Sequence, residues 1–395
     1  MQTLTQHMTK IYLLGLLLLL PGNAAALGDD GVNIEIASTI VGQQISKRNA
    51  DIKKPGTASI DLIMDTDLGF GTLHLYGEGG STADVSATTL VGGANGTAGT
   101  AATATEKGRF QLSEISFDAD LSALNIELGV MDFSVRADET TTASEEDEQF
   151  LAEVLTVNAS IAFPVYSPGI VVNYGEEDEI SFTLQAANAY GLLDNPEASY
   201  AQMLKIGKTP TGEKKGLFSL AELRLPITAG DSMLTVGGWH STKELTRIDG
   251  TKNDNNTTGA YINLNSHIGD TAWSVRGGFN NAKTEMLEGV SSFYSLSLEH
   301  EITEQHAFGL GLAYSGVRSD FKASLAPNTG ANTTVGEIYY RWQITDEIAI
   351  SPDIQYHHNA NNLASATPAD VFGNVWVYGL RIQLGTSQQL AHKAE

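Results

Sequence analysis

Val375-Trp376-Val377-Tyr378-Gly379-Leu380-Arg381-Ile382-Gln383-Leu384 carries two messages in alternate letters. Trp376, Tyr378, Leu380, Ile382 and Leu384 form one set; Val375, Val377, Gly379, Arg381 and Gln383 form the other. Successive side chains of a strand point to opposite faces, so one face is wholly apolar and starts with two aromatics, while the other ends in Arg and Gln. A soluble sandwich would turn the apolar face to its core and the polar face to water. A membrane barrel would turn the apolar face to lipid, set the aromatics at headgroup level and line a wet lumen with the polar face. One strand does not decide between these; the number of such strands does.

The alternation recurs along the chain. Ile180, Phe182, Leu184 and Ala186 alternate with Ser181, Thr183 and Gln185; Tyr294, Leu296 and Leu298 alternate with Ser295, Ser297 and Glu299; Ile262 and Leu264 alternate with Asn263 and Asn265. Strand pairs are joined by short acidic turns such as Asp65-Thr66-Asp67-Leu68-Gly69, His267-Ile268-Gly269-Asp270 and Thr345-Asp346-Glu347. Long Gly/Asn/Thr-rich segments separate one pair from the next. Short turns on one edge and long loops on the other predict an all-β, transmembrane antiparallel β-barrel with short periplasmic turns and long extracellular loops. We place about 16 strands, near 32–43, 57–66, 69–78, 109–119, 124–132, 169–175, 178–188, 216–226, 231–240, 258–266, 271–280, 289–299, 305–316, 333–344, 347–357 and 374–385. An even number returns both termini to the periplasmic edge, so Met203 to Gly207 is read as loop. Sixteen strands leave an aqueous channel, so a porin is the expected function.

Residues 1–26 read as a cleaved signal peptide. Lys10 precedes the apolar run Ile11 to Leu20, and Ala24-Ala25-Ala26 supplies a small-residue cleavage site. Residues 27–385 form the barrel and 386–395 a C-terminal tail. The expected location is therefore the outer membrane of a Gram-negative bacterium. There is no cysteine, and Lys+Arg 23 stand against Asp+Glu 47, giving a net charge of -24. That sign excludes nucleic acid as a partner and favours cations over anions in a pore. The partners expected are outer-membrane lipid, small solutes and the barrel-assembly machinery, with a homo-oligomer left open.

Two loops stand out. Gly79 to Gly108 is nearly pure Gly/Ala/Thr/Ser and lacks the Lys-Ser/Thr ending of a phosphate loop, so it reads as a flexible, solvent-facing segment. Asp132 to Pro168 is the longest connection, and loops of that length are usually functional. It carries Arg136, Asp138 and Glu139, then the run Glu145-Glu146-Asp147-Glu148. Folded inward, it would narrow the lumen and set selectivity; left outside, it would be a solvated acidic loop. Arg276, Arg341 and Arg381 lie within strands. On a lipid face a midplane Arg costs ~2–4 kcal/mol, so they point to the lumen. There their guanidiniums would donate to solute hydroxyls or pair with loop or wall carboxylates.

Several motifs resemble the bacterial carbohydrate-selective porin (OprB-type) family: Glu114-Ile115-Ser116-Phe117 through Leu128-Gly129-Val130-Met131-Asp132-Phe133, then Gln149-Phe150-Leu151 and Phe163-Pro164 with Ser167-Pro168-Gly169. Gly237-Gly238-Trp239-His240, Phe308 to Gly316 and Glu337-Ile338-Tyr339-Tyr340 continue the match. It is strongest at Ile350-Ser351-Pro352-Asp353-Ile354-Gln355-Tyr356 with Asn359, ending at Gly379-Leu380-Arg381. The resemblance implies a sixteen-stranded sugar-passing barrel with the 132–168 loop as its constriction. The chain departs from the family by running past Leu384 to Glu395 without a terminal aromatic, by its few basic residues, and by Ala360 in place of a proline.

Other chemistry is set aside. His357-His358 is the only adjacent histidine pair and no His-x3-His or His-Glu-x-x-His spacing occurs, so no metal or cofactor is expected; the pair reads as solvated residues at a strand end. No Gly-x-Ser-x-Gly elbow is present, and an enzyme is not expected. Trp239, Trp273, Trp342 and Trp376 are read as girdle aromatics. The alternatives kept are a general cation-preferring diffusion porin and a non-conducting surface-binding barrel.

Overall fold

A computed structural model describes residues 32–46, 56–80, 93–96, 109–143, 148–176, 179–191, 214–228, 232–247, 253–254, 256–284, 286–319, 332–359 and 374–388. Sixteen strands form the wall. The first eight are β1 (Val32–Ile45), β2 (Gly56–Asp67), β3 (Thr72–Gly80), β4 (Arg109–Leu121), β5 (Leu124–Met131), β6 (Ser167–Tyr174), β7 (Ser181–Asn188) and β8 (Leu217–Thr228). They are followed by β9 (Ser232–Ser241), β10 (Thr257–Ile268), β11 (Thr271–Asn280), β12 (Val290–Thr303), β13 (His306–Val317), β14 (Thr333–Thr345), β15 (Ile348–His358) and β16 (Val375–Gln388). Each pairs with its chain neighbours, and β1 closes on β16 from Ile34↔Gln388 to Ile45↔Val377. Closure leaves no open edge, which is what a strand-built wall needs where no water can satisfy its backbone.

The alternation in sequence becomes the two faces of the wall. Trp376, Tyr378 and Leu380 are 46%, 48% and 45% exposed, whereas Val375, Val377 and Arg381 are at most 1% exposed. Phe182, Leu184, Ile262, Tyr294 and Leu296 likewise face out, and Thr183, Gln185, Asn263, Ser295 and Ser297 are buried inside. The turns are tight for local reasons. At β2–β3 the Asp67 carboxylate accepts from the Gly69 N–H at 2.7 Å while Gly69 takes φ +78, a conformation glycine adopts without strain. β1 pairs Val32 with Thr66, so the chain enters and leaves the wall on this short-turn edge.

Three local expectations change. β16 runs to Gln388 rather than 385, so the first three residues of the expected 386–395 tail belong to the wall. Trp239 is no girdle residue: it is 3% exposed and stacks on Phe218 inside the barrel at 6.1 Å. Its neighbour Gly259 has no side chain, and that is the space the indole fills. His357 is buried too, with its Nε2 2.9 Å from Gln355 Oε1, because its register places it on the inner face. Trp342 and Trp376 do face outward. Residues 1–26, 203–207 and 389–395 lie outside the described residues.

A charge on the outer face should be resisted by the bilayer. Leu296→Arg, mid-strand on β12, is expected to lower stability by ~2–4 kcal/mol. The measurement is reversible denaturant-driven folding into phospholipid vesicles; an unchanged midpoint would place this face away from lipid.

Candidate functional site: the loop inside the barrel

The segment between β5 and β6 turns inward at its first residue. Asp132 accepts from the Ser134 backbone N–H at 2.8 Å and from its hydroxyl at 2.7 Å, and the single 3-10 turn Ser134–Arg136 follows. Arg136 then locks to the wall. Its guanidinium lies 2.6 Å from Glu127 and 3.0 Å from Glu114, and it donates to the Asp132 carbonyl at 2.6 Å. Burial opposes its charge, yet the two carboxylates hold its pKa above the ordinary arginine value.

Beyond this point the wall satisfies the loop backbone from both ends. Glu222 of β8 accepts from the Asp138 N–H at 2.8 Å and from Tyr261 OH at 2.6 Å. Arg224 bridges Glu222 at 2.9 Å to Glu139 at 3.0 Å. Asn263 and Asn265 both donate to the Glu139 carbonyl, at 2.6 and 3.0 Å. On the far side, the two oxygens of Glu337 accept from the Leu151 and Ala152 N–H groups, each at 2.8 Å. Arg381 donates to the Glu148 and Gln149 carbonyls at 2.7 and 2.9 Å. Arg276 donates to the carbonyls of Leu155 and, at 3.2 Å, Thr156, the last two residues of the short helix α1 (Glu153–Thr156). The bonds made by Glu222, Glu337, Arg276 and Arg381 to the loop backbone are charge-assisted and largely shielded from water, the stronger kind.

Apolar contacts fill the seam. Phe133, Ala137 and Ile161 pack with Phe218, Trp239 and Tyr261; Phe150, Ala152 and Leu155 pack with Phe293, Ala313, Val335 and Tyr339. Phe150 meets Tyr339 edge-on at 5.0 Å. Gly311 leaves room for this contact, since a Cβ there would lie 2.6 Å from Leu155 Cδ1 and 2.8 Å from Phe150 Cε1.

A second segment enters the lumen where the sequence suggested a solvent-facing loop. Residues 93–96, the described part of the Gly79 to Gly108 stretch, are held inside. The Ala94 carbonyl accepts from Gln43 at 2.8 Å and Gln355 at 2.9 Å, and Asn95 donates to Thr57 at 3.0 Å. The tip then grips the longer loop: Gly96 N–H donates to the Leu151 carbonyl at 2.7 Å and Glu153 N–H to the Gly93 carbonyl at 2.9 Å. Ala94 and Asn95 are small enough to enter, and their polar groups find wall glutamines in place of water.

Of the residues singled out from sequence, Arg136, Asp138, Glu139, Glu148, Arg276, Arg341 and Arg381 meet at this loop and the wall facing it. Glu145, Glu146 and Asp147 lie outside the described residues. Asp138, Arg276 and Arg381 are buried in the seam. Arg136 and Arg341 border an open cavity of about 770 Å³ on the short-turn side, where Arg341 pairs with Glu148 at 2.9 Å. Asp138 sits 3.7 Å from Arg276 and accepts from Asn158 at 2.9 Å; burial nonetheless pushes its carboxyl up to about 7. Glu114, Glu127, Glu222, Arg224 and Glu337 were not singled out from the sequence. The signal available was their parity: each is a charged residue on the inner set of an otherwise alternating strand. Among the described residues no three His, Asp or Glu side chains form a metal-binding group.

A closed sixteen-stranded barrel, apolar outside and polar inside, with a long loop folded into its lumen, defines a pore-forming protein of the bacterial outer membrane. The chain belongs to the carbohydrate-selective porin, OprB family, whose model matches residues 65–385. Its fold is similar to that of Pseudomonas putida OprB in its high-pH structure, at 14% identity, with a TM-score of 0.70, 91% of this chain and 95% of that chain covered. A loop L8 deletion mutant of OmpT, an outer membrane protein of Vibrio cholerae, is similar at 10% identity and a TM-score of 0.51, covering 91% and 100%. No match is found among curated proteins. The chain is thus an outer-membrane porin.

Loosening the seam should widen the path. Glu337→Gln turns one acceptor into a donor facing an N–H, a buried mismatch worth ~1–3 kcal/mol. Gly311→Val would push Leu155 and Phe150 away from the wall. Both variants are expected to fold and to give larger, noisier single-channel steps in planar bilayers; steps identical to wild type would count against a loop held by these contacts. A pH effect follows from Asp138. Its folded pKa lies above the unfolded value of ~4, so the stability it contributes is present at low pH and is lost as pH rises to about 7. Asp138→Asn should flatten that part of the stability–pH curve; an unchanged slope would be inconsistent with a protonated Asp138.

Proposed function

We propose that the chain passes small saccharides by passive diffusion through the space left beside the 132–166 loop, which acts as the constriction. The observation that carries this reading is the cavity bounded by that loop and by the inner faces of β1–β4 and β14–β16. Arg136 and Arg341 border it, together with Tyr76, Tyr166, Gln343 and Gln383. Hydroxyl-rich neutral solutes exchange water for such donors and acceptors at little net cost, which suits a path that must be both entered and left. The family to which the chain belongs supports sugar as the solute. No step forms or breaks a covalent bond. Delivery by a cleaved signal peptide, residues 1–26, and insertion by the barrel-assembly machinery complete the proposal.

A second reading, a general cation-preferring pore, is favoured by the charge of the same cavity. Glu35, Asp61, Glu114, Asp132, Glu148, Asp346 and Glu347 border it, against the guanidiniums of Arg136 and Arg341. Single-channel recording of the refolded chain in a salt gradient, with mono- and oligosaccharides added, separates the two. Cation-selective steps that sugar blocks support the saccharide porin. Steps that sugar leaves untouched would leave only the general pore, and a folded barrel without steps would remove both.

A further inference from the structure

The outer wall carries a depression over β6–β10, and the strand register explains it. Across β10, β9 and β8, the outward positions Ala260, Gly238 and Ala221 lie side by side, so three adjacent strands carry nothing larger than a methyl group. Leu184 and Val172 continue that row on β7 and β6. One step toward the short-turn edge, the next outward row is Ile262, Val236, Leu223, Phe182 and Tyr174, all bulky. One step toward the long-loop edge, the row is polar on β10 to β8, at Thr258, His240 and Ser219, and continues on β7 and β6 as Ala186 and Ile170. The result is a groove of about 730 Å³ with an apolar floor, a bulky sill on one side and a polar lintel on the other.

We propose that this groove holds one lipid of the outer leaflet, its upper acyl chain on the Ala221–Gly238 floor and its headgroup against His240 and Thr258. The inference rests on the outer-membrane location. The groove is continuous with the lipid-facing surface, since Val236, Ile262 and Leu184 beside it are exposed, and it lies in the long-loop half of the wall. An unfilled hollow at that depth would leave its lining without contact partners, a loss that a flexible chain repairs. A second copy related by a two-fold axis would oppose the same patch to itself, and a concave patch does not fill a concave patch. The polar row is where a headgroup would find hydrogen-bonding groups, and the sill stops a rigid ligand from lying along the strands.

The test is native mass spectrometry of the full chain in mild detergent with added hexa-acyl lipid A, the anchor of the lipopolysaccharide that forms the outer leaflet. Wild type is expected to keep one lipid through delipidation steps that strip the rest. Ala221→Phe, which fills the floor, should reduce that retained population several-fold, while Leu312→Phe, outward on β13 and five strands away, should not. Single-channel conductance of both variants should stay at the wild-type value, because neither side chain reaches the lumen; this reports folding separately. Should Ala221→Phe fail to fold, Ala221→Cys serves, because the chain has no other cysteine. Its thiol should react with an apolar maleimide several-fold more slowly in lipid-loaded than in stripped protein, and Val236→Cys should show no such difference. Equal retention in all variants, equal reactivity, or a wild-type mass at a multiple of the chain would overturn the proposal.

Discussion

A loop placed inside a barrel must find partners for its backbone, and the wall of this barrel provides them as charged side chains. Glu222 and Glu337 accept N–H groups at Asp138, Leu151 and Ala152; Arg276 and Arg381 donate to carbonyls at Leu155, Thr156, Glu148 and Gln149. A free strand edge or a helix end would solve the same problem with its own backbone. Here the strands have already spent theirs on one another in closing the sheet, so only side chains remain. The wall's inner charges are thus first of all structural. The same arrangement makes the loop a fixed obstacle, held at Arg136, Asp138 to Glu139, 148–152, 155–156 and Ser160, whose carbonyl accepts from Asn280 at 3.1 Å.

Charge and packing are divided along that seam. The guanidiniums and carboxylates sit where the loop backbone is polar, and Phe133, Ile161, Phe150 and Leu155 sit between them against inward aromatics. Buried charges of this kind contribute little net stability unless each finds its partner. Their value is positional, because each is matched to particular N–H or carbonyl groups of the loop, and displacement of the loop would leave those buried groups without their partners. The tip at 93–96 belongs to the same system. It bonds to the wall through glutamines and to the loop through backbone, so movement of either insert is felt by the other.

How much of this was legible follows from periodicity. The wall was legible because a period of two, repeated sixteen times between short and long connections, has one solution that buries no unpaired edge. The inside was less so. Glu337 alternates correctly in Val335-Gly336-Glu337-Ile338-Tyr339, but parity says only that it points inward, and what it meets comes from 185 residues away. Trp239 shows the opposite failure: an aromatic near a strand end reads as a girdle residue unless one knows that the inner face there is covered. The segment 93–96 was read as solvent-facing because Gly, Ala and Asn are common in loops. The same smallness is what lets it enter a crowded lumen.

Where the two inserts lie also bears on the proposed selectivity. Opposite charges meet in the seam: Arg136 with Glu127 and Glu114, Arg224 with Glu222 and Glu139, Arg276 beside Asp138. The first two groups set one guanidinium against two carboxylates, so a solute beside the loop meets partly compensated charge there rather than the chain's overall -24. Of the other carboxylates that border the cavity, Glu35, Asp346 and Glu347 belong to the short-turn end of the wall and Asp61 to the middle of β2. Partly compensated charge at the narrow part and carboxylates at the mouth fit both proposed readings. In those readings the mouth would enrich cations over anions through its field, and the constriction would discriminate by size and hydrogen bonding, to which a neutral sugar is suited.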